Sequence, residues 1–281
     1  HGGTKSDPKI GDLQFPENSH YNLDAEMIRW FDARLKGKQT GVEKDAAVRY
    51  YVAGAVGEPG APGNVWREAA DWPLKAQEVS YYLSGDGALS SRKPQAATGS
   101  TAFSSDPRHP APMPGRNYPA AKDGREYERH PDVRTFTTAV LPEAVEWTGK
   151  AQAELYVSSD ARDTDFIVRV SDVYPDGRSI MLADAIRRAR YRDSFEKPAL
   201  LEPGKVYRVA FDIGWMSQIF NRGHRIRVAI SGTGADFYEP NPNTGEKFTI
   251  APAAHMVVAH NTLFHDRQHA SRVIAPVRRI E

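Results

Sequence analysis

The sequence predicts a mainly β protein, a two-sheet sandwich of the jelly-roll kind behind a short helical lead. Three observations carry that expectation. One stretch near the N-terminus has apolar residues at helical spacing, and nothing after residue 40 repeats that spacing over three turns. From there on, short runs rich in β-branched and aromatic residues alternate with Gly, Pro, Asp and Ser clusters. The runs are numerous, and a closed double sheet accommodates many strands without exposing long edges. No repeat at solenoid or propeller spacing is present.

The helical stretch is YNLDAEMIRWFDARLKG. Leu23, Met27, Phe31 and Leu35 recur every four residues, with Ile28 and Trp30 widening the stripe. Asn22 is placed to cap the N-terminus, Asp24 and Glu26 suit the positive helix start, and Arg34 and Lys36 precede Gly37. The spacing predicts a helix over residues 22–36. KDAAVRYYVAG, EVSYYLSG, VRTFTTAVL, AQAELYVSS and TDFIVRVSDVY then read as successive strands. Pro175, Asp176 and Gly177 provide a hairpin turn. In GKVYRVAFDIG, Tyr207, Val209, Phe211 and Ile213 share one face and Val206, Arg208, Ala210 and Asp212 the other. GHRIRVAIS alternates Ile226, Val228 and Ile230 with Arg225, Arg227 and Ala229. Both are expected as half-buried antiparallel strands whose polar faces meet water. AAHMVVAHNTL and SRVIAPV close the series, and the proline-rich DPRHPAPMPGRNYPAAKDG reads as an ordered excursion within one domain.

At 281 residues the chain can bury a sizeable core. The absence of cysteine excludes disulfide frameworks, thiolate zinc sites and cysteine nucleophiles. Thirty-seven basic residues balance thirty-six acidic ones without a basic block, so neither nucleic acid nor an anionic membrane is expected as a partner. No apolar run reaches the roughly 18 residues of a membrane span, which predicts a soluble chain, cytoplasmic or secreted.

Read residue by residue, no complete active site emerges: G-x-S-x-G, H-E-x-x-H and a phosphate-binding glycine loop are all absent. Asp160, Asp163 and Asp165 read as turn aspartates bonding their own backbone, against calcium ligands. His255, His260, His265 and His269 are spaced to alternate strand faces, so no metal site is expected. His224 reads as a turn imidazole bonded to backbone, against a catalytic one.

The order of landmarks HGG, IRWFDARLKG, VWREAADWP, SSDPRHPAPMPG, SSDARDTDFIVRVSDVYPDG, RYRDS, GHRIRV and ASRVIAPV resembles the cocaine esterase and X-prolyl dipeptidyl peptidase family of serine hydrolases. That family also takes in glutaryl-7-aminocephalosporanic acid acylase-like and α-amino acid ester hydrolase-like enzymes. The resemblance implies an α/β-hydrolase domain followed by a jelly roll of galactose-binding-like topology. Residues 1–40 are then the last part of the hydrolase domain and residues 41–281 the jelly roll. His1 falls where the family carries its triad histidine. A first-position histidine also fits the stub of a purification tag. The nucleophile serine and triad aspartate of the family have no counterpart in this chain, so alone it is expected to be inactive. Asn117, Tyr118 and Pro119 match the family's pocket-facing loop over the acyl group. No cofactor or metal is implied.

Two functions compete at this stage. The first is the C-terminal portion of a serine hydrolase acting on a small ester, amide or X-Pro peptide through an acyl-enzyme, with the hydrolase domain as its partner. The second is a free-standing carbohydrate-binding or interaction module, with Trp66, Trp72, Tyr118, Trp215 and Tyr238 as candidate contacts. The helix at residues 22–36 has no role in the second, which favours the first.

Overall fold

In the computed structural model, which describes residues 8–114, 121–235, 237–246 and 255–280, the helical stretch becomes α1 (Leu23–Lys36). The Asn22 side-chain oxygen accepts from the Ala25 backbone N–H at 3.0 Å, and Gly37 closes the helix in the left-handed region at φ 64°. Both predicted ends are therefore met. A small hairpin, β1 (Lys9–Ile10) with β2 (Leu13–Gln14), precedes the helix, and a second, β3 (Val48–Val52) with β4 (Val65–Ala69), follows it.

The rest is the expected sandwich. Its strands are β5 (Gln77–Leu83), β6 (Leu89–Ser90), β7 (Ser100–Ser105), β8 (Arg134–Thr137), β9 (Val145–Ser159), β10 (Asp165–Val173), β11 (Ser179–Arg188), β12 (Tyr207–Phe220), β13 (Arg225–Ser231), β14 (Ala259–Phe264) and β15 (Arg272–Arg278). One sheet runs β11-β10-β13-β8. In the other, β12 lines one edge of β9, while β15 and β14 share the opposite edge, continued outward by β5 and β6 and by β7. All pairs between these strands are antiparallel, and β10 turns into β11 at Gly177, φ 88°.

The sheets meet through their inward faces. Phe166, Val168, Val170, Ile226, Val228 and Ile230 of the smaller sheet pack against Trp147, Leu155, Val157, Phe211, Phe220 and Val273 of the larger. Within the larger sheet, β9 and β15 leave no room for a side chain at one point. A Cβ on Gly149 would lie 2.8 Å from Cβ of Pro276, at a φ of 141° that L side chains rarely adopt. Pro276 lies where the β15–β9 register slips, between Ile274 and Val277, at a point where a residue without an N–H costs the ladder nothing.

One expectation is corrected. The second face of GHRIRVAIS does not simply meet water: Ala229 is buried, and β10 beside it is buried along its whole length. Ala111 of the proline-rich excursion and residues that follow the excursion supply the cover. Ala111, Tyr127 and Val133 pack on Ala229, with Tyr127 on the short helix α2 (Arg125–Glu128). The Tyr127 hydroxyl is 2.6 Å from Ser231 Oγ, and the Arg169 guanidinium stacks 4.2 Å from the Tyr127 ring centre. β4, β6 and β7 were not foreseen as strands, and β9 and β12 extend beyond the runs that announced them.

Truncating Leu155, at the centre of the core, to alanine should cost about 2–5 kcal/mol of unfolding free energy. Leu35→Ala on the outer side of α1 should stay within about 0.5 kcal/mol. Urea denaturation of the two variants provides the comparison.

Candidate functional site

His1, Asn117, Tyr118 and Pro119 lie outside the described residues. The structure does describe the frame around the loop at 115–120. On its N-terminal side, Met113 N–H donates to the Ala235 carbonyl at 2.8 Å and Ala235 N–H to the Ala111 carbonyl at 2.9 Å. On its C-terminal side, Met181 N–H donates to the Lys122 carbonyl at 2.9 Å and Gly124 N–H to the Ser179 carbonyl at 2.7 Å. The Asp12 carboxylate accepts from Lys122 Nζ at 2.8 Å and from Asp123 N–H at 2.9 Å, which holds it below the usual carboxylate range, the Lys122 bond foremost. The described residues flanking 115–120 are thus fixed to the sandwich on both sides.

α1 lies beside the hairpin β3–β4 with no buried residue. Arg29 pairs with Glu26 and Asp45. A cleft of about 350 Å³ opens between helix and hairpin, lined by Tyr21, Met27, Trp30 and Arg49 among others. Leu23, Met27 and Trp30 border this cleft, whereas Ile28 and Leu35 point away from it, 62% and 76% exposed. An amphipathic helix with its apolar residues this open presents a contact surface.

His224 departs from its expected role. Its ring is not bonded to backbone. It is fully buried, with Nδ1 2.7 Å from Asp172 Oδ1 and Nε2 2.9 Å from Glu58 Oε1. The Tyr174 ring lies 4.4 Å away, and Asn221 Nδ2 donates to the other Glu58 oxygen at 2.7 Å. Burial opposes the charge on the imidazole, but the two carboxylates outweigh it and raise its pKa. With both nitrogens committed, the ring is a clamp between β10 and the 53–64 loop, and no general base. Antiparallel register brings Asp172 and His224 together, and spacing along the chain carries no trace of it.

The aspartates are also reassigned. Asp163 bonds the Arg190 backbone N–H at 2.9 Å and its guanidinium at 2.7 Å, while Asp165 pairs with Arg188 and Asn241. Asp160 receives the His260 N–H at 2.7 Å. These carboxylates hold distant segments together; they do not close turns on their own backbone. No group of metal-ligating side chains occurs among the described residues. His265 Nε2 is 2.9 Å from the Thr101 hydroxyl, in a niche where a Cβ on Gly85 or Gly99 would approach within 2.9 Å of the ring. Among the described residues no serine hydroxyl bonds to a histidine.

Of the candidate aromatics, Trp66 packs between Tyr21 and Tyr51 and donates Nε1–H to the Asn18 carbonyl, and Tyr238 donates to Asp184. Both are structural. Trp72 and Trp215 meet at the hairpin's junction with the larger sheet, 5.5 Å between ring centres.

The fold defines the class, a jelly-roll β-sandwich with accessory helix and hairpin. The family of the X-Pro dipeptidyl-peptidase C-terminal non-catalytic domain matches residues 40–274, and the chain belongs to it. It is 35% identical over 266 residues to cocaine esterase of Rhodococcus sp. (strain MB1 Bresler), covering 88% of this chain and 44% of that protein. An aminopeptidase from the marine sediment archaeon Thaumarchaeota archaeon superposes at TM-score 0.84 and 25% identity, over 98% of this chain and 47% of its own. An α-amino acid ester hydrolase superposes at TM-score 0.70 and 27% identity, over 76% and 39%. The chain thus spans less than half the length of these relatives.

The His224 clamp yields a signed pH dependence. Because its folded pKa is raised, its contribution is complete below the unfolded value of 6.5 and is lost as pH rises through the folded value. Glu58→Gln should therefore destabilise most at about pH 6, with the gap to the parent narrowing as pH rises. Urea unfolding of both proteins across that range should show converging curves.

Proposed function

We propose that this chain is the C-terminal portion of a serine hydrolase that cleaves ester or amide bonds, X-Pro peptide bonds included, through an acyl-enzyme. Residues 41–281 form its non-catalytic jelly roll, and residues 1–40 close its α/β-hydrolase domain. The family membership and the relatives' names support this reading. The observation that carries it is α1, whose Ile28, Phe31 and Leu35 stand open outside the cleft it shares with the hairpin. A catalytic domain of the size by which the relatives exceed this chain is the proposed cover.

In the intact enzyme, a serine outside this chain attacks the carbonyl. His1 takes its proton and returns it to the leaving group, while an aspartate holds the imidazole in the required tautomer. Water then attacks the acyl-enzyme with His1 again as base. The 115–120 loop, flanked on both sides by residues fixed to the sandwich, closes over the acyl group. Its neighbouring prolines limit backbone freedom, and Tyr118 contributes a flat wall with one hydroxyl.

The chain alone should take up no fluorophosphonate probe, whereas the intact enzyme should label stoichiometrically. His1→Ala in that enzyme should cut kcat by about 10³-fold or more. Retained activity would remove His1 from the mechanism.

In the same enzyme, Tyr118→Ala should shift relative kcat/KM between large and small acyl groups by about 1–3 kcal/mol. An equal loss for all acyl groups would assign the loop a structural role.

A further inference from the structure

The outer face of the larger sheet carries a feature that neither core packing nor acyl transfer requires. Val209, Phe211 and Ile213 of β12 face the core, so strict alternation would send residue 215 inward too. It does not go there. A bulge between Asp212 and Gly214, with Gly214 at φ 134°, shifts the phase: Met216 and Phe220 join the core, and Trp215 emerges 52% exposed. Nothing lies within 4 Å of a Cβ placed on Gly214, so its glycine serves the backbone conformation and not close packing.

Around Trp215 the polar groups are arranged in matched pairs. Lys150, its cross-strand neighbour, sits 5.8 Å from the ring centre and donates to Asp212 at 2.9 Å; Gln152 donates to the other Asp212 oxygen at 2.9 Å. One step along the sheet, a recess of about 230 Å³ has Ala210 and Ile274 in its lining, with Arg208 and Glu154 beside Asp212 and Gln152. Arg208 and Arg272 both pair with Glu154, at 2.8 and 3.1 Å. Trp72 stands beside Trp215 at a tilt of 49°, backed by Tyr50.

We infer that this face binds a neutral oligosaccharide. One sugar ring stacks its C–H face on Trp215 with hydroxyls bridging Asp212, Gln152 and Lys150, and a neighbouring ring enters the recess over Ala210. An exposed flat ring beside planar amide and carboxylate groups matches a ligand that is apolar on its faces and hydroxylated around its rim. An anionic ligand would have to break the existing Arg–Glu and Lys–Asp pairs, whereas hydroxyls add to them. The inference is independent of the hydrolase reading, because none of these residues serves it.

Native affinity electrophoresis of the full 281-residue chain tests it, with soluble starch, mixed-linkage β-glucan and arabinoxylan as neutral probes and polygalacturonate as the anionic one. At least one neutral polymer should retard the chain. Trp215→Ala and Asp212→Ala should each weaken retardation about tenfold or more, while Trp66→Ala should leave it unchanged. Circular dichroism confirms that the variants remain folded. No retardation by any neutral polymer, equal retardation of the Trp215→Ala variant, or stronger binding to polygalacturonate would overturn the inference. Self-association abolished by Trp215→Ala would overturn it as well, by assigning the face to a second copy.

Discussion

β9 needs hydrogen-bond partners on both edges over fifteen residues, and the larger sheet is organised by that requirement. β12 supplies one edge for nearly the full length. No single strand supplies the other: β15 pairs with the first part and β14 with the last. The chain must therefore leave β9 after Phe264, reverse, and return at Arg272, and His265 at the start of that reversal is buried against the sandwich. The partners come from far along the sequence, as in the Arg272–Glu154 pair spanning 118 positions. A fold built on such pairings pays loop-closure entropy before its contacts form, and folds slowly for its size.

What the sequence made legible was local. The caps of α1, the turn at Gly177 and the inward set Val209, Phe211, Ile213 each follow from a few neighbouring residues. What escaped depended on partners not yet placed. The start of β9 carries Glu146, a poor strand signal, yet it is buried with Thr148 because Arg67 of the hairpin reaches Glu146 at 2.8 Å and Thr148 bonds the same carboxylate. β7, Ser100–Ser105, has little apolar content because among the described residues it is an edge strand paired to β14 alone. The His224 clamp needed the β10–β13 register and a loop more than a hundred residues away. His1 and Asn117–Pro119 rest on family resemblance alone; no chemistry of their neighbours in the sequence singles them out.

The hairpin β3–β4 joins otherwise separate regions. One side meets α1 through Arg29–Asp45 and the shared cleft, its body is pinned by Arg67–Glu146, and the loop joining its strands ends in the Glu58–His224 clamp. A load applied to the open face of α1 therefore passes into β9 and β13 through charged groups. Ion pairs respond to pH and salt more than apolar contacts do.

The β12 bulge also bears on how such a surface arises and disappears. Upstream of it odd-numbered residues face the core; downstream even-numbered ones do, while β9 opposite keeps one phase throughout. Loss or gain of a single codon between Phe211 and Met216 thus exchanges the inside and outside of half a strand in one event. Among related genes, chain length across these few positions is then a better marker of an outward tryptophan than the identity of any aligned residue.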